Sequence, residues 1–244
     1  MRRWLFNSHP NAQRLTFKGF FVRFIVVILT WILLYQLWIF LHICWWVNHN
    51  PSSSAFMEDR LAIIQETKPD AELKYKWVNY DQISSNLKRA VIASEDAKFI
   101  DHEGVDWEAI QAAYAKNLKK GKIVSGGSTI SQQLAKNLFL SSKRTPWRKA
   151  QELVITYMLE AVLDKRRIFE IYLNIIEWGD GVFGAEAAAK HYFKASAAKL
   201  NGQQAARLAV MIPNPRFYDK HKKTSYLSKR TAVIQSRMRF SEIP

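Results

Sequence analysis

Cysteine is almost missing from this sequence, because Cys44 is the one cysteine among 244 residues. A disulfide within the chain and a zinc site built from cysteines are therefore excluded. The six histidines are scattered and contain no H-E-x-x-H pair, so they do not indicate a metal site made by the protein alone. The glycines at 126–127 form no P-loop, and the S-x-x-K patterns at Ser85 and Ser196 lack a following K-T-G.

Charged residues are absent from the 24-residue run between Phe24 and Val47. As a helix rising about 1.5 Å per residue, this run would span roughly 36 Å and cross a hydrocarbon core of about 30 Å. Trp45 and Trp46 stand at its far end, where an interfacial aromatic belt belongs. A cleaved signal peptide is the competing interpretation, but the run is too long and lacks a small-x-small cleavage site. We expect residues 24–47 to be a transmembrane anchor.

Acidic residues are also absent from residues 1–23. This segment carries five basic side chains, Arg2, Arg3, Arg14, Lys18 and Arg23. The positive-inside rule therefore predicts a basic tail in the cytoplasm. We expect a single-pass protein of the cytoplasmic (inner) membrane, with residues 48–244 in the periplasm or extracytoplasmic space.

The net charge of the whole chain is +15, and residues 48–244 hold 31 Lys plus Arg against 21 Asp plus Glu. Such an excess suits nucleic acid, anionic lipid or an acidic substrate. Nucleic acid is not the expected partner outside the cytoplasmic membrane. The charge therefore favours membrane lipids or a phosphate-bearing substrate.

Residues 48–75, beginning with the polar stretch "NHNPSSS", are predicted to be a linker or stem. Residues 76–244 show helical spacing of apolar residues and little period-2 alternation, which predicts one all-α domain or nearly so. Four residues are candidate helix caps, namely Asp81, Asp106, Ser128 and Thr145.

The segment "WEAIQAAYAKNLKKGK" (107–122) places Trp107, Ile110, Tyr114 and Leu118 on one side and adds lysines near its end. A basic amphipathic helix of this kind suits a membrane surface. Lysines also favour the C-terminal end of an ordinary solvated helix. Both interpretations remain open at the level of sequence.

The stretch "RTPWRKAQE" (144–152) begins a helix with Thr145 as cap and Pro146 in the first helical position. Arg144, Arg148 and Lys149 nevertheless crowd its N-terminal end, where the dipole is already positive. Unpaired N–H groups with guanidinium groups form a good phosphate or pyrophosphate site, and Lys136 on the preceding helix could add a further cation. Solvated side chains are the alternative.

Two glutamates are candidates for chemistry. Glu152 lies one helical turn after Arg148, so a simple i,i+4 salt bridge competes with a catalytic role. Glu95 ends an apolar helical segment beside Asp96, with His102 nearby, and partial burial there would raise its pKa towards that of a general base.

Together these stretches resemble the peptidoglycan glycosyltransferases of glycosyltransferase family 51, and most closely their monofunctional, membrane-anchored form. Five ordered motifs carry the resemblance over most of residues 80–220. They are "EDAKFIDHEGVDW" (95–107), "GGSTISQQLAKN" (126–137), "RKAQE" (148–152), "KRRIFEIYLN" (165–174) and "GDGVFGAEAAAKHYF" (179–193). Phe169 stands where the family usually has leucine. The resemblance implies a lysozyme-like helical domain with a membrane-facing lobe, preceded by one transmembrane helix.

The resemblance also implies the roles of site residues. Glu95 would be the general base, and Glu152 a second, assisting carboxylate. The basic positions around the donor pyrophosphate would be Lys136, Arg144, Arg148 and Lys149. The polar residues of the substrate cleft would be Ser128, Thr129, Gln132 and Gln133, with His102 and Asn174 of the first and fourth motifs.

The implied reaction polymerises lipid II into β-1,4 glycan strands and releases undecaprenyl pyrophosphate. Lipid II, the growing lipid-linked strand and membrane lipids would be partners, with cell-wall synthesis or division proteins as further ones. The sequence requires no cofactor, although the family often uses a divalent cation (Mg or Mn) at the pyrophosphate. A lytic transglycosylase or lysozyme-type glycosidase, and a non-enzymatic membrane-tethered scaffold, are the alternatives.

Overall fold

Helices make up most of the computed structural model, which describes residues 17–122, 126–141 and 145–244. Their bounds are α1 Phe17–Trp45, α2 Ala55–Gln65, α3 Ser85–Glu95, α4 Trp107–Lys120, α5 Ile130–Phe139, α6 Pro146–Val162, α7 Lys165–Ile175, α8 Ala185–Phe193, α9 Gly202–Met211, α10 Pro215–Lys220 and α11 Ser225–Arg237. Short 3-10 helices occur at Tyr80–Gln82, Ala197–Lys199 and Met238–Phe240. Arg144 and residues 1–16 of the predicted tail lie outside the described residues.

Three short strands complete the secondary structure of the described chain: β1 Lys74–Tyr75, β2 Glu177–Gly179 and β3 Val182–Phe183. They form one sheet in the order β1-β3-β2, with β1 parallel and β2 antiparallel to β3. The prediction of a nearly all-α protein is therefore confirmed, and the segment at 179–184 that interrupts the helical pattern is a tight hairpin.

The chain divides into two units, residues 1–41 and 42–244. In the first unit α1 is apolar, and the stretch Lys18–Trp45 is long enough to cross a membrane, with a mean hydropathy of 2.4. The helix begins before the predicted start of the anchor at residue 24 and ends two residues before its predicted end at Val47.

In the second unit, part of the predicted linker is structured. Helix α2 packs against α5, and Ser54 caps it by accepting a hydrogen bond from the Met57 N–H at 3.2 Å. Met57 is buried, and Arg60 donates to Asp180 in the hairpin at 3.0 Å. The predicted linker or stem of residues 48–75 therefore contains a folded helix, which the polar opening of the segment did not indicate.

Two of the four cap predictions are confirmed and two are wrong. Asp106 accepts the Ala109 N–H at 2.8 Å and starts α4, and Thr145 accepts the Arg148 N–H at 3.1 Å and starts α6. Asp81 instead lies in a 3-10 helix with Ile83 extended after it, so α3 begins only behind Ser84. Ser128 is displaced by Thr129, which forms a reciprocal capping box with Gln132.

The core of the second unit gathers around α7, where Phe169 and Tyr172 are fully buried. Phe99 packs against Phe169 with ring centroids 5.5 Å apart. Phe169, the residue that departs from the family pattern, therefore fills a core position. On α4, by contrast, Tyr114 and Leu118 are exposed, so the predicted apolar side of this helix faces away from the core.

Candidate active site

Glu95 is the last residue of α3, whose buried residues Leu87 and Val91 anchor the helix in the core. Its carboxylate accepts hydrogen bonds from Gln133 Nε2 at 3.0 Å and from Ser94 Oγ at 3.3 Å. Burial raises the pKa of Glu95, and these two hydrogen bonds oppose the shift. A carboxylate whose pKa is raised in this way is a better proton acceptor than an exposed glutamate.

Gln133 holds the Glu95 carboxylate in place. The Tyr172 hydroxyl donates to Gln133 Oε1 at 2.9 Å, which leaves Gln133 Nε2 to donate to Glu95. Tyr172 is itself fully buried, so its hydroxyl is a fixed donor. Gln133, one of the predicted cleft residues, therefore positions the predicted base Glu95.

Asp96 and His102 form a network beside Glu95. Asp96 accepts the Ile130 N–H at 2.9 Å and His102 Nε2 at 3.0 Å. Because the Gly104 N–H donates to His102 Nδ1 at 3.1 Å, the imidazole proton belongs on Nε2. His102, predicted to bind substrate, thus connects the two ends of the 96–104 loop, and Asp96 joins this loop to the start of α5.

Thr129 contacts the same loop, and Gln132 forms hydrogen bonds with Thr129. Besides capping α5, Thr129 Oγ1 donates to the Gly104 carbonyl at 2.6 Å, and both side chains are buried. Ser128 is exposed and lines the cavity at Glu95. Gly127 approaches α4 so closely that a Cβ would lie 2.9 Å from the Ile110 Cα, which accounts for glycine at this position.

A cavity of about 400 Å³ opens on the α4 side of Glu95. Its lining residues are Glu95, Asp96, Ala97, Lys98, Asp106, Glu108, Ala109, Ala112, Gly126, Gly127, Ser128 and Thr129. Lys98 and Glu108 form an exposed ion pair at 2.6 Å. The cavity thus offers a space next to the candidate base that a hydroxyl-bearing reactant could occupy.

The N-terminal end of α6 carries the cations that sequence analysis singled out. Glu152 is bound by Arg148 Nη1 at 3.2 Å and by the Lys149 ammonium, and its side chain is only 4% exposed. The i,i+4 salt bridge is therefore present. Arg148 Nε is nevertheless buried without a hydrogen-bond partner among the described residues. An orphaned buried donor is costly, and a bound anion would satisfy it.

Lys136 on α5 lies between the two glutamates. Burial lowers the pKa of Lys136, while the charges of Glu152 and Glu95 raise it and those of Arg148 and Lys149 lower it further. The structure therefore brings five predicted site residues together around the contact between α5 and α6. They are Glu95, Lys136, Arg148, Lys149 and Glu152.

A second cavity, of about 390 Å³, opens on the other side of Gln133. Its lining residues are Phe56, Gln133, Lys136, Asn137, Ile176, Glu177, Ile212, Pro213, Asn214, Pro215 and Arg216. Only Gln133 and Lys136 among these were predicted from the sequence, so Phe56, Glu177 and Arg216 are new. Phe56, whose ring centroid lies 5.4 Å from Lys136 Nζ, sits in the segment expected to be a linker.

Asn174 stays apart from this cluster. It is fully buried on α7, where Oδ1 accepts the Val78 N–H and Nδ2 donates to the Val78 carbonyl, both at 2.9 Å. Its amide is used in joining α7 to the segment before α3, and this placement favours a structural role over substrate binding.

The described residues contain no metal site built from protein side chains alone. Over residues 17–122, 126–141 and 145–244, His, Cys, Asp and Glu side chains form no group of three or more that could hold one. Glu152, the buried carboxylate nearest the cations, is already paired with Arg148 and Lys149. The reaction proposed below uses protein side chains alone.

Comparisons with known proteins find matches over most of the chain. The sequence profile of the family described as Transglycosylase matches residues 61–239. The biosynthetic peptidoglycan transglycosylase of Methylobacillus flagellatus is 64% identical over 93% of this chain and 99% of that protein. Proteins of the same name from Laribacter hongkongensis and Bordetella pertussis are 64% and 54% identical, over 91% and 96% of this chain and 98% and 99% of their own lengths.

Proposed function

Because this chain belongs to the transglycosylase family and is a peptidoglycan glycosyltransferase with a lysozyme-like all-α domain, we propose that it polymerises lipid II at the site around Glu95. The observation that carries this proposal is the connection of a buried acid to a group of cations. Gln133 Nε2 donates to Glu95. Lys136 lies one helical turn further along α5, and the charges of Glu95 and Glu152 both raise its pKa.

In the proposed reaction, Glu95 accepts the proton of the acceptor sugar's 4-hydroxyl. The hydroxyl oxygen attacks the anomeric carbon of the donor sugar, and the bond from that carbon to the pyrophosphate oxygen breaks with its electron pair. A single displacement of this kind inverts the α-linked donor to a β-1,4 bond. Undecaprenyl pyrophosphate leaves, and the proton on Glu95 returns to solvent.

The cations are proposed to hold the leaving group. Three basic side chains, Lys136, Arg148 and Lys149, lie near Glu152, which pairs with two of them. This excess of basic groups suits a disubstituted diphosphate, which is an anion. Donors fixed where charge develops stabilise the transition state, and the unused Arg148 Nε adds one such donor. Glu152 would assist by holding Arg148 and Lys149 in position.

We further propose that α1 anchors the enzyme in the inner membrane with its N-terminus inside, and that α4 rests on the lipid surface. The apolar side chains Tyr114 and Leu118 are 65% and 64% exposed, and Lys119 and Lys120 follow at the end of the helix. An interfacial helix places apolar side chains at the acyl boundary and lysines at anionic headgroups, and α4 has both. A substrate delivered by a lipid tail would then reach the site from the bilayer.

The test is incubation of the purified full-length protein, in detergent, with labelled lipid II, followed by gel separation of the products. We expect long glycan strands. In a parallel incubation with preformed glycan, shortening of that glycan without polymer formation from lipid II would instead identify a glycosidase, and the absence of both products would identify a scaffold.

A further inference from the structure

We propose that Arg216 is an additional oxyanion-binding residue of the substrate site, aimed into the second cavity by Glu177. This inference deepens the proposed function and rests on it. Arg216 is the second residue of the short helix α10 and lines the same cavity as Lys136 and Gln133.

The pairing with Glu177 fixes the direction of the guanidinium group. Arg216 Nε donates to Glu177 Oε2 at 3.1 Å, and Glu177 lies on strand β2, against which α10 packs. The side chain of Glu177 is 9% exposed, and Arg60 Nε lies 3.9 Å from its other oxygen. Glu177 is therefore a rigidly placed acceptor between two arginines, and its contact orients Arg216.

Only the Nε edge of Arg216 is used in this way. Its Nη1 and Nη2 atoms make no hydrogen bond to a residue within the described part of the chain, and its side chain is 46% exposed. A guanidinium group presents a planar fork of donors that matches the geometry of carboxylate and phosphate oxygens. Held by Nε, Arg216 offers that fork without first having to be ordered.

The cavity gives an oxyanion more than one partner. Lys136 lines it from α5, and the side-chain amides of Gln133 and Asn137 lie on the same helix. Gln133 lines this cavity and donates to Glu95, so a ligand that reaches Arg216 would also face Lys136 and lie next to the candidate base. The chemical class of the bound group is an oxyanion, either a phosphate of the lipid diphosphate or a carboxylate of the stem peptide.

The experiment measures steady-state polymerisation over a range of labelled lipid II concentrations. Arg216→Gln should raise KM about tenfold while kcat changes by less than about threefold, a loss of affinity worth roughly 1.4 kcal/mol. The matched control is Arg166→Gln, because Arg166 is likewise half-exposed and paired with a carboxylate, Asp81, away from either cavity. The control should keep the wild-type KM.

Glu177→Gln tests the positioning role and serves if Arg216→Gln folds poorly. It should raise KM several-fold on its own and add nothing in an Arg216→Gln background, because Glu177 acts through Arg216. Additive effects of the two substitutions would show that Glu177 does not act through Arg216, and would overturn the positioning part of the proposal.

Two further arms identify the oxyanion. If Arg216 binds phosphate, Arg216→Gln should weaken inhibition by inorganic pyrophosphate. If it binds a carboxylate, inhibition by pyrophosphate should stay unchanged, and wild type should show the raised KM with lipid II whose stem-peptide carboxyl groups are amidated. An unchanged KM in a folded Arg216→Gln variant of an active enzyme would overturn the inference alone. Failure of the wild type to polymerise would instead overturn the proposed function.

Discussion

Replacing Glu95 by Gln separates catalysis from stability more cleanly than any other change at this site. The substitution preserves shape, and the Gln carbonyl can still accept the hydrogen bond that Gln133 Nε2 now donates at 3.0 Å. What it removes is the negative charge and the ability to take a proton. We therefore expect a folded protein that binds lipid II but polymerises it poorly.

The size of the activity loss follows from the role of a general base. Positioned proton transfer contributes about 10²–10⁴-fold to a rate, so kcat should fall by that factor, equivalent to roughly 2.7–5.5 kcal/mol of transition-state stabilisation. Stability should move the other way. Burial raises the pKa of Glu95 in the folded state, so keeping it ionised at neutral pH costs free energy that the uncharged Gln avoids.

The pH dependence supplies a second readout. Because the folded-state pKa of Glu95 is raised above its ordinary value of 4.5, wild-type kcat should fall on acidification earlier than an exposed glutamate would predict. For the same reason, Glu95 should reduce the free energy of unfolding as pH rises through the interval between its unfolded and folded pKa values. Glu95→Gln should lack this contribution, so its Tm should exceed that of wild type above this interval and approach it below.

The measurements are product formation from labelled lipid II and thermal unfolding, both across a pH series. Ser94→Ala is a useful companion, since it removes only the weaker hydrogen bond at 3.3 Å and should retain most of kcat. Near-wild-type kcat in Glu95→Gln would refute the assignment of Glu95 as the base. A fall in Tm at neutral pH would refute the claim that its burial is costly.

Three further changes test other parts of the structure. Arg148→Ala should lower kcat/KM about 10- to 100-fold through the lost leaving-group contact while Tm shifts by less than roughly 3 °C, and a large Tm loss with intact kcat/KM would favour a purely structural salt bridge. Asn174→Ala should cost about 2–4 kcal/mol, seen as a Tm lower by roughly 5–15 °C, since Val78 loses partners for both backbone groups. A nitroxide label at Tyr114 in vesicle-reconstituted full-length protein should collide more with oxygen than with a water-soluble nickel complex; accessibility equal to that at exposed Ser228 would contradict membrane contact.

Much of the fold could be predicted because helical periodicity and caps are local signals. The starts of α4 at Asp106 and of α6 at Thr145 follow from a capping side chain and the next few residues. The two wrong caps show the limit of such reasoning. Asp81 and Ser128 are good caps by residue type, but Ser84 and Thr129 lie closer to where tertiary contacts allow the helix to begin.

The candidate site was accessible to sequence analysis in so far as its residues fall in short motifs. Glu95, Lys136 and Glu152 are brought together as predicted. Arg216 and Glu177 were missed because they belong to segments far apart in sequence, and only the packing of α10 on β2 makes them neighbours. Pairings of that kind leave no local pattern in a single sequence.

The N-terminal end of α6 shows how a local conflict can indicate function. Each cation there opposes the helix dipole at a cost of about 0.3–1 kcal/mol, and one carboxylate, Glu152, offsets only part of the repulsion. Were stability the sole requirement, acidic residues in place of Arg148 and Lys149 would be better. A diphosphate bound at this end would reverse the sign of the dipole contribution, pair with the excess basic groups and satisfy Arg148 Nε at once. The unfavourable arrangement in the free protein is thus what a leaving-group site for a diphosphate, as proposed above, would require.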